Sequence, residues 1–409
     1  MPAPIDIPAL LPTLTTLAEA KLPQMLGDIE RLITIETPSE DKEAVAAGAR
    51  VTADIVQQRL GARPAEVIVE GTPHLVLRFG AESAGERPAD YQPRVVLVDH
   101  QDTVWPHGTL ERKPFQVADG VLTGPGSFDM LTGDVMAFTA VQLLQEAVAA
   151  AGGDPQAALA GLTVLVTGDE EIGSPTSAGL IQDEARGARA AYVMEASGTG
   201  STGPGALKVE RKGTSMYVVE VHGRASHAGL EPEKGINAGL ELASLLQQVA
   251  TFGDAGLGTS VTPTRLSGGT TTNTVPAYAQ FDVDVRAKTV AEQERVDAAI
   301  RALTPQHAEA KIVIRGGINR PPLERAMAQG LFDRALALSE SLGIEAPEGI
   351  EVGGASDGNF TAGIGVPTLD GLGAVGDGAH AEHEHALVDY IAPRTALLAA
   401  LIADQLWAD

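Results

Sequence analysis

The chain has 409 residues, 44% of them hydrophobic and 20% charged, which implies a folded globular protein with more than one domain. Its 29 basic residues face 54 acidic ones, a formal net charge of -25, which argues against nucleic acid and against anionic membrane surfaces as partners. Cysteine is absent, so disulfides, thiolate metal sites and a cysteine nucleophile are excluded, and any transition-metal site must be built from His, Asp and Glu.

The opening "MPAPIDIPALLPTLTT" has no positively charged n-region and is broken by prolines and Asp6, so it does not read as a signal peptide. No stretch reaches 18 uninterrupted apolar residues; no transmembrane helix is expected, and a cytoplasmic address is the default. Two helices come first, "LAEAKLPQMLGDIERLITI" and "KEAVAAGARVTADIVQQRL", with "TPSED" as turn and cap between them. Short apolar strands then alternate with helices. "RVVLVDH" is a strand, "DVMAFTAVQLLQEAVAAA" a helix, "LTVLVTG" a strand, "SAGLIQDEA" a short helix and "AAYVMEA" a strand. That texture implies an α/β catalytic domain with a largely parallel sheet covered by helices.

After "SGTGSTGPG", a glycine-rich stretch that reads as flexible and as a workable hinge, the texture changes. Strand, amphipathic helix, two strands, helix and strand follow, from "MYVVEVHG" to "AKIVIRGG". The order β-α-β-β-α-β is ferredoxin-like, and it places an inserted α+β domain at residues 206–318. The first domain is then discontinuous, 1–205 and 319–409, resuming with "ERAMAQGLFDRALALSESLG", the loop "EVGGASDGNF", the strand "GVPTLDGLG" and a last helix.

In an open α/β sheet, ligands bind outside the carboxyl ends of the strands. The residues there are of one kind. "DHQDTVW" supplies His100 and Asp102, "GDEE" supplies Glu170 and Glu171, and "MEAS" supplies Glu195. "AVGDGAHAEHEH" supplies His380, and Asp129 in the glycine-rich "GPGSFDM" can reach in from a loop. Taken singly, each has an ordinary reading: a satisfied buried histidine, a solvated acidic loop, a strand-end cap. Together they are two imidazoles and several carboxylates at one sheet edge, with little Lys or Arg among them. So many uncompensated carboxylates are costly without cations, and one or two Zn²⁺ ions would balance them. Two metals about 3.5–4 Å apart also need a bridging carboxylate. The residues point to a dinuclear hydrolytic site.

The set "HQDTV", "GPGSFDM", "GDEEIGS", "MEAS", "GRASHAG", "NTVP", "DVDVR" and "GAHAEHE", in this order, resembles the dinuclear zinc exopeptidases. That family includes aminoacylase, the DapE-type enzymes and peptidase T, and the texture is closest to the bacterial glutamate carboxypeptidases (carboxypeptidase G). The likeness runs from about residue 20 to the C-terminus. It implies two Zn²⁺ per chain, with Co²⁺ or Mn²⁺ as substitutes. His100 would sit on one ion, Asp129 would bridge both, Glu171 and Glu195 would complete one sphere each, and His380 would sit on the second ion. Asp102 would lie beside His100 and tune it. Glu170 would be the general base that deprotonates the water between the metals and passes the proton to the leaving amine. The inserted domain would serve as lid and homodimer interface, with His227 stabilising the oxyanion across the dimer. Arg286 would grip the substrate's α-carboxylate, while Asn273 and the glycine-rich segment at Gly354 would line the substrate pocket.

Two departures stand out. Leu131, Thr132 and Gly133 follow Met130 where relatives carry Lys-Gly-Gly, and Asp99 replaces a small residue before His100. Arg211, Lys212 and Arg320 are further basic candidates for an acidic side-chain pocket. The expected activity is hydrolysis of the amide bond to a C-terminal amino acid, glutamate among them, in a small peptide or N-acyl amino acid. An N-acyl-amino-acid aminoacylase or a dipeptidase would use the same residues. An inactive dimeric binding protein should have lost Glu170 or a ligand, and none is missing. A two-metal phosphoesterase would want Arg or Lys beside the metals, and the strand ends do not supply them.

Overall fold

The computed structural model describes residues 7–407; the reading of residues 1–6 as part of a non-signal N-terminus lies outside them. The chain forms two compact units, one of Met1–Val209, Arg325–Glu351 and Ser356–Asp409, the other of Glu210–Glu324 and Val352–Ala355. Among the described residues, no helix is long and apolar enough to cross a membrane.

In chain order, helices α1 (Ile7–Ile33) and α2 (Lys42–Leu60) come first. Asp41 accepts the Glu43 and Ala44 N–H groups to cap α2, and Gly61, at φ 72°, ends it. A hairpin follows, β1 (Ala65–Val69) and β2 (Thr72–Arg78), then β3 (Val95–His100), helix α3 (Leu131–Ala150), β4 (Leu162–Thr167), helix α4 (Ala178–Ala185) and β5 (Ala190–Val193). The second unit carries β6 (Gly213–His222), α5 (Ala238–Val249), β7 (Ser260–Gly268), β8 (Tyr278–Ala287), α6 (Val290–Arg301) and β9 (Lys311–Arg320). The chain then returns through α7 (Arg325–Leu342), the short β10 (Thr368–Leu369) and α8 (Ile391–Trp407).

The first unit is built on a six-stranded sheet in the order β1-β2-β4-β3-β5-β10. Strands β4, β3, β5 and β10 are parallel, whereas β1–β2 and β2–β4 pair antiparallel. Four of the six strands are thus parallel, and the antiparallel edge is the part that the apolar runs did not announce. Its cause is local: Glu70 and Gly71, at φ 50° and 86°, make a two-residue reversal, which can join only antiparallel strands. All of β2 is buried, including Arg78, whose guanidinium pairs with buried Glu184 at 2.6 Å.

Side chains alternate across β3. Val96 and Val98 pack with Ala185, Ala188, Ala191 and Val193 on the α4 side. Helices α1, α3 and α8 pack on one another. Close contact is written into α3 at Gly133, where a Cβ would stand 2.2 Å from the Met194 carbonyl oxygen just beyond β5. A backbone clash has no rotamer to relieve it. Gly133→Ala is expected to cost about 1–3 kcal/mol or more, read as a lower thermal midpoint. An unchanged midpoint would show that α3 does not approach the strand end so closely.

The glycine-rich stretch read as a workable hinge forms a tethered turn. Gly198–Thr199 pairs with Pro204–Arg211, and Glu348 accepts both the N–H and the hydroxyl of Ser201 and of Thr202. The expected loop 351–360 also has more structure than its glycines suggest: its first two residues end the strand Gly349–Val352 and its last three begin the helix Gly358–Gly363.

The second unit is a four-stranded antiparallel sheet in the order β7-β8-β6-β9. Alternate residues of β6 and β8, among them Tyr217, Val219, Phe281 and Val283, pack with Leu245 and Val249 of α5 and Val296 and Ile300 of α6. The order of its elements is β-α-β-β-α-β.

Candidate metal centre

Because β4, β3 and β5 are parallel, their carboxyl ends lie at one sheet edge. His100 is the last residue of β3. Glu170 and Glu171 open a single 3-10 turn, Glu170–Ile172, just beyond β4. Gly173, at φ 93°, ends it and returns its N–H to the Glu170 carbonyl at 2.8 Å. Asp169, just before the turn, accepts from the N–H and hydroxyl of Thr176 and from the Ser177 hydroxyl at 2.5–2.7 Å. The Asp102 carboxylate holds the turn from the other side, accepting the N–H groups of Glu170 and Glu171 at 3.2 Å each and the Ser39 hydroxyl at 2.6 Å. The two adjacent carboxylates are therefore presented by a turn pinned on both flanks.

Asp102 has a second task beside His100. His100 Nδ1 meets the Asp102 backbone carbonyl at 3.0 Å, while the carboxylate lies at 3.6 Å and serves the Glu170–Glu171 turn. A proton on Nδ1 directed at that carbonyl leaves Nε2 as a lone pair pointing into the site.

Asp129 stands between the two histidines. Its Oδ1 is 3.5 Å from His100 Nε2, and its Oδ2 is 3.3 Å from His380 Nε2. Glu195 Oε1 lies 3.7 Å from His100 Nε2, and Glu171 Oε2 lies 3.0 Å from His380 Nε2. Glu170 joins His100 and Glu195, with one polar atom from each within 4.8 Å of the others. His380 is exposed and sits at φ 61°, a left-handed conformation that a non-glycine residue adopts only when its surroundings impose it.

Three buried atoms there have no hydrogen-bond partner among the described residues: His100 Nε2, Asp129 Oδ1 and Glu171 Oε1. Buried polar atoms are normally paired, so a nitrogen lone pair and two carboxylate oxygens left open together make a donor set that fits a divalent cation of the zinc type. In the metal-free protein, protons take that role. Burial opposes charge on His100, but Asp102, Asp129 and Glu195 outweigh it and hold the imidazolium well above its ordinary range. Contacts with Asp129 and Glu171 raise His380 to about 10. Burial lifts Glu171 to about 7 despite its bond to His380.

Both imidazoles must therefore shed protons for a metal to bind. Proton release on zinc addition at pH 7, and affinity that rises with pH toward 10, are the expected results, measured by calorimetry in buffers of different ionisation enthalpy. Binding without proton release would contradict the assigned histidines. The same sign applies to the metal-free fold: the His380 contribution is present in full below the unfolded value near 6.5 and fades as pH passes about 10.

His227, Asn273, Arg286 and Gly354 belong to the second unit. There "GRASHAG" and "NTVP" run side by side: the Ala228 N–H meets the Asn273 carbonyl at 2.9 Å and the Val275 N–H meets the Ser226 carbonyl at 2.9 Å. His227 is exposed, and its Nδ1 accepts the Gly229 and Leu230 N–H groups at 3.1 Å each, which leaves the proton on Nε2. Arg286 donates Nε and Nη2 to the two oxygens of Asp284 at 2.9 Å each, a fork–fork pair. The Gly354 carbonyl accepts Arg211 Nη1 at 3.2 Å, and Lys212 Nζ donates to the Gly258 carbonyl at 2.6 Å.

Sequence reasoning passed over Lys208, whose ammonium lies 3.7 Å from Glu195 Oε2. It sits in an unremarkable alternating strand and gave no signal. Glu384, wholly buried, was overlooked inside "HAEHEH", where a turn of charged residues reads as surface. The carboxyl oxygens of Asp99 and Asp134 are buried without hydrogen-bond partners among the described residues; burial foremost pushes both acids well above the usual range, helped by the charge of Asp134 at Asp99 and of Asp102 at Asp134.

The model of peptidase family M20/M25/M40 matches residues 96–404. Carboxypeptidase G2 of Pseudomonas sp. (strain RS-16) is 30% identical over 392 residues, spanning 93% of this chain and 89% of that protein. Succinyl-diaminopimelate desuccinylase of Stenotrophomonas maltophilia (strain R551-3) is 30% identical over 315 residues, 73% of this chain and 80% of that protein. In fold, the chain is similar to the crystal structure of aminopeptidase PepT from Bacillus cereus ATCC 10987, with a TM-score of 0.68 at 20% identity, covering 94% of this chain and 98% of that one.

Proposed function

The chain belongs to peptidase family M20/M25/M40 and is a hydrolase of the metallopeptidase class; from that premise we propose that it cleaves the amide bond to a C-terminal amino acid, using two zinc ions and Glu170 as the general base. Hydrolysis of N-acyl amino acids by an aminoacylase or desuccinylase is the neighbouring reading, favoured by the second relative's name. The observation that carries the proposal is Asp129, which turns one oxygen to each histidine and so offers one carboxylate to two ions.

In this reading His100, Asp129 and Glu195 hold one ion, and Asp129, Glu171 and His380 hold the other. When bound, the pair supplies Lewis acidity and lowers the pKa of water toward neutrality. The chain's own work is positioning and proton transfer. Asp102 fixes the turn that carries Glu170, so the carboxylate faces the ligand cluster without being required by it. Glu170 takes a proton from the attacking water and returns it to the leaving nitrogen.

The second unit supplies recognition. A proton fixed on His227 Nε2 suits donation to a developing oxyanion. Arg286 keeps part of its guanidinium for a substrate carboxylate, while Asp284 orients the remainder. We also propose that the second unit, which exposes Leu230, Leu240, Leu257 and Leu266, forms a homodimer interface.

The test is a panel of N-acyl and dipeptidyl substrates with C-terminal Glu, Asp, Ala, Leu and Lys, assayed with zinc-loaded protein. Preferred release of glutamate supports the carboxypeptidase reading. Preference set by the acyl group instead supports the aminoacylase reading. Hydrolysis of none, at full zinc loading, rejects both.

A further inference from the structure

Glu384 carries a fully buried carboxylate on which five donors converge. Its Oε2 accepts from Trp105 Nε1 at 2.7 Å, the Gly126 N–H at 3.1 Å and Lys113 Nζ at 3.4 Å. Its Oε1 accepts from the N–H groups of Phe128 at 3.0 Å and Asp129 at 3.1 Å. Three of the five are backbone groups of one loop, the glycine-rich segment that presents Asp129. Successive N–H groups turned toward one anion form a concave nest, and the anion here is a side chain from elsewhere in the chain.

That side chain is four residues beyond His380. The Glu384 N–H donates to the Ala381 carbonyl at 2.9 Å, and Lys113 Nζ reaches both the Ala381 carbonyl and Glu384 at 3.4 Å. The turn is closed tightly: a Cβ at Gly378 would stand 2.8 Å from the Glu384 nitrogen. One carboxylate therefore ties the loop of Asp129 to the turn of His380. Neither loop is part of the parallel sheet; a short antiparallel ladder, Val121–Thr123 with His385–Leu387, joins their roots, and Glu384, just before that ladder, is the side chain that reaches the tip carrying Asp129, 3.3 Å from His380.

We propose that Glu384 is a positioning residue that locks the Asp129 loop to the His380 turn and so builds the ion site shared by Asp129, Glu171 and His380. The proposal rests on the two-metal reading above.

The test is a zinc titration by chelator competition on wild type, Glu384→Ala and Glu384→Gln. Metal-free thermal midpoints and steady-state kinetics at limiting and saturating zinc accompany it. Removing a partner behind a metal ligand typically weakens metal affinity about 10–100-fold. Glu384→Ala should weaken one zinc, that of Asp129, Glu171 and His380, by that factor, and the other, which keeps His100 and Glu195 at the strand ends, by less than threefold. Its kcat should fall at limiting zinc with KM unchanged, and excess zinc should restore it. Glu384→Gln should recover part of the affinity, since its amide oxygen can still accept from Phe128 and Asp129.

Equal weakening of both zincs would mark a general loss of fold and overturn the proposal, as would wild-type affinity at both. If Glu384→Ala does not fold, the same two criteria apply to Glu384→Gln. Wild type that binds no zinc would overturn the two-metal reading, and this proposal with it; wild type binding two with unchanged variants overturns this proposal alone.

Discussion

Glu170→Gln is expected to lower kcat by about 10²–10⁴-fold, the usual contribution of a positioned general acid–base group, while zinc content stays at the wild-type level. The reason lies in how the turn is held. Asp102 binds the Glu170 backbone N–H, and Gly173 closes the turn behind it, so the amide variant keeps the loop and the neighbouring Glu171 in place. Glutamine is nearly isosteric with glutamate but cannot accept the proton. KM should move by a few-fold at most, because the loss is confined to the transition state. Kinetics and metal analysis on one preparation check both halves. A variant that loses zinc together with activity would make Glu170 a ligand, and the assigned order of the two glutamates would be reversed.

Asp129→Ala is expected to have the larger effect on the metal: both ions lost or severely weakened, and hydrolysis below detection. Its two oxygens face the two histidines, so a single substitution removes a donor from both spheres. The loop itself should survive, because Glu384 holds it through the backbone N–H of Asp129 and not through the side chain. His380 should also respond. Asp129 is the foremost cause of its rise to about 10, so its pKa should fall in the variant. Zinc stoichiometry by dialysis and elemental analysis, with the His380 pKa by NMR in the metal-free protein, are the measurements. Two ions retained at wild-type affinity would show that Asp129 does not bridge.

The strand ends were legible because burial announces itself in composition. "VVLVDH" and "LTVLVTG" are continuous apolar runs, and in a parallel sheet such runs bring their last residues to one edge. His100, Glu170, Glu171 and Glu195 are found there together for that reason. The hairpin β1–β2 was not legible. Ile68 is exposed in β1, and β2 carries His74 and Arg78, whose burial depends on Thr176 and Glu184 about a hundred residues later. No local window contains those partners.

Asp102 and Glu384 mark a different limit. "HQDTV" suggests an aspartate serving its neighbouring histidine, and nothing in it tells that the same carboxylate also holds a turn some seventy residues away. "HAEHEH" suggests a charged surface, yet its second glutamate, Glu384, is buried by five donors, all from residues 105–129. Ligand-type residues can be read from their kind and spacing. The groups that aim them are fixed by tertiary contacts, where composition is silent.

In the proposed two-metal site one carboxylate, Asp129, joins two ion sites at the end of the sheet. The most direct measurement is zinc bound per chain after equilibrium dialysis of the wild-type protein at pH 7.5, by elemental analysis against protein concentration. Close to two equivalents is the expected result. One equivalent, or none, would contradict the account.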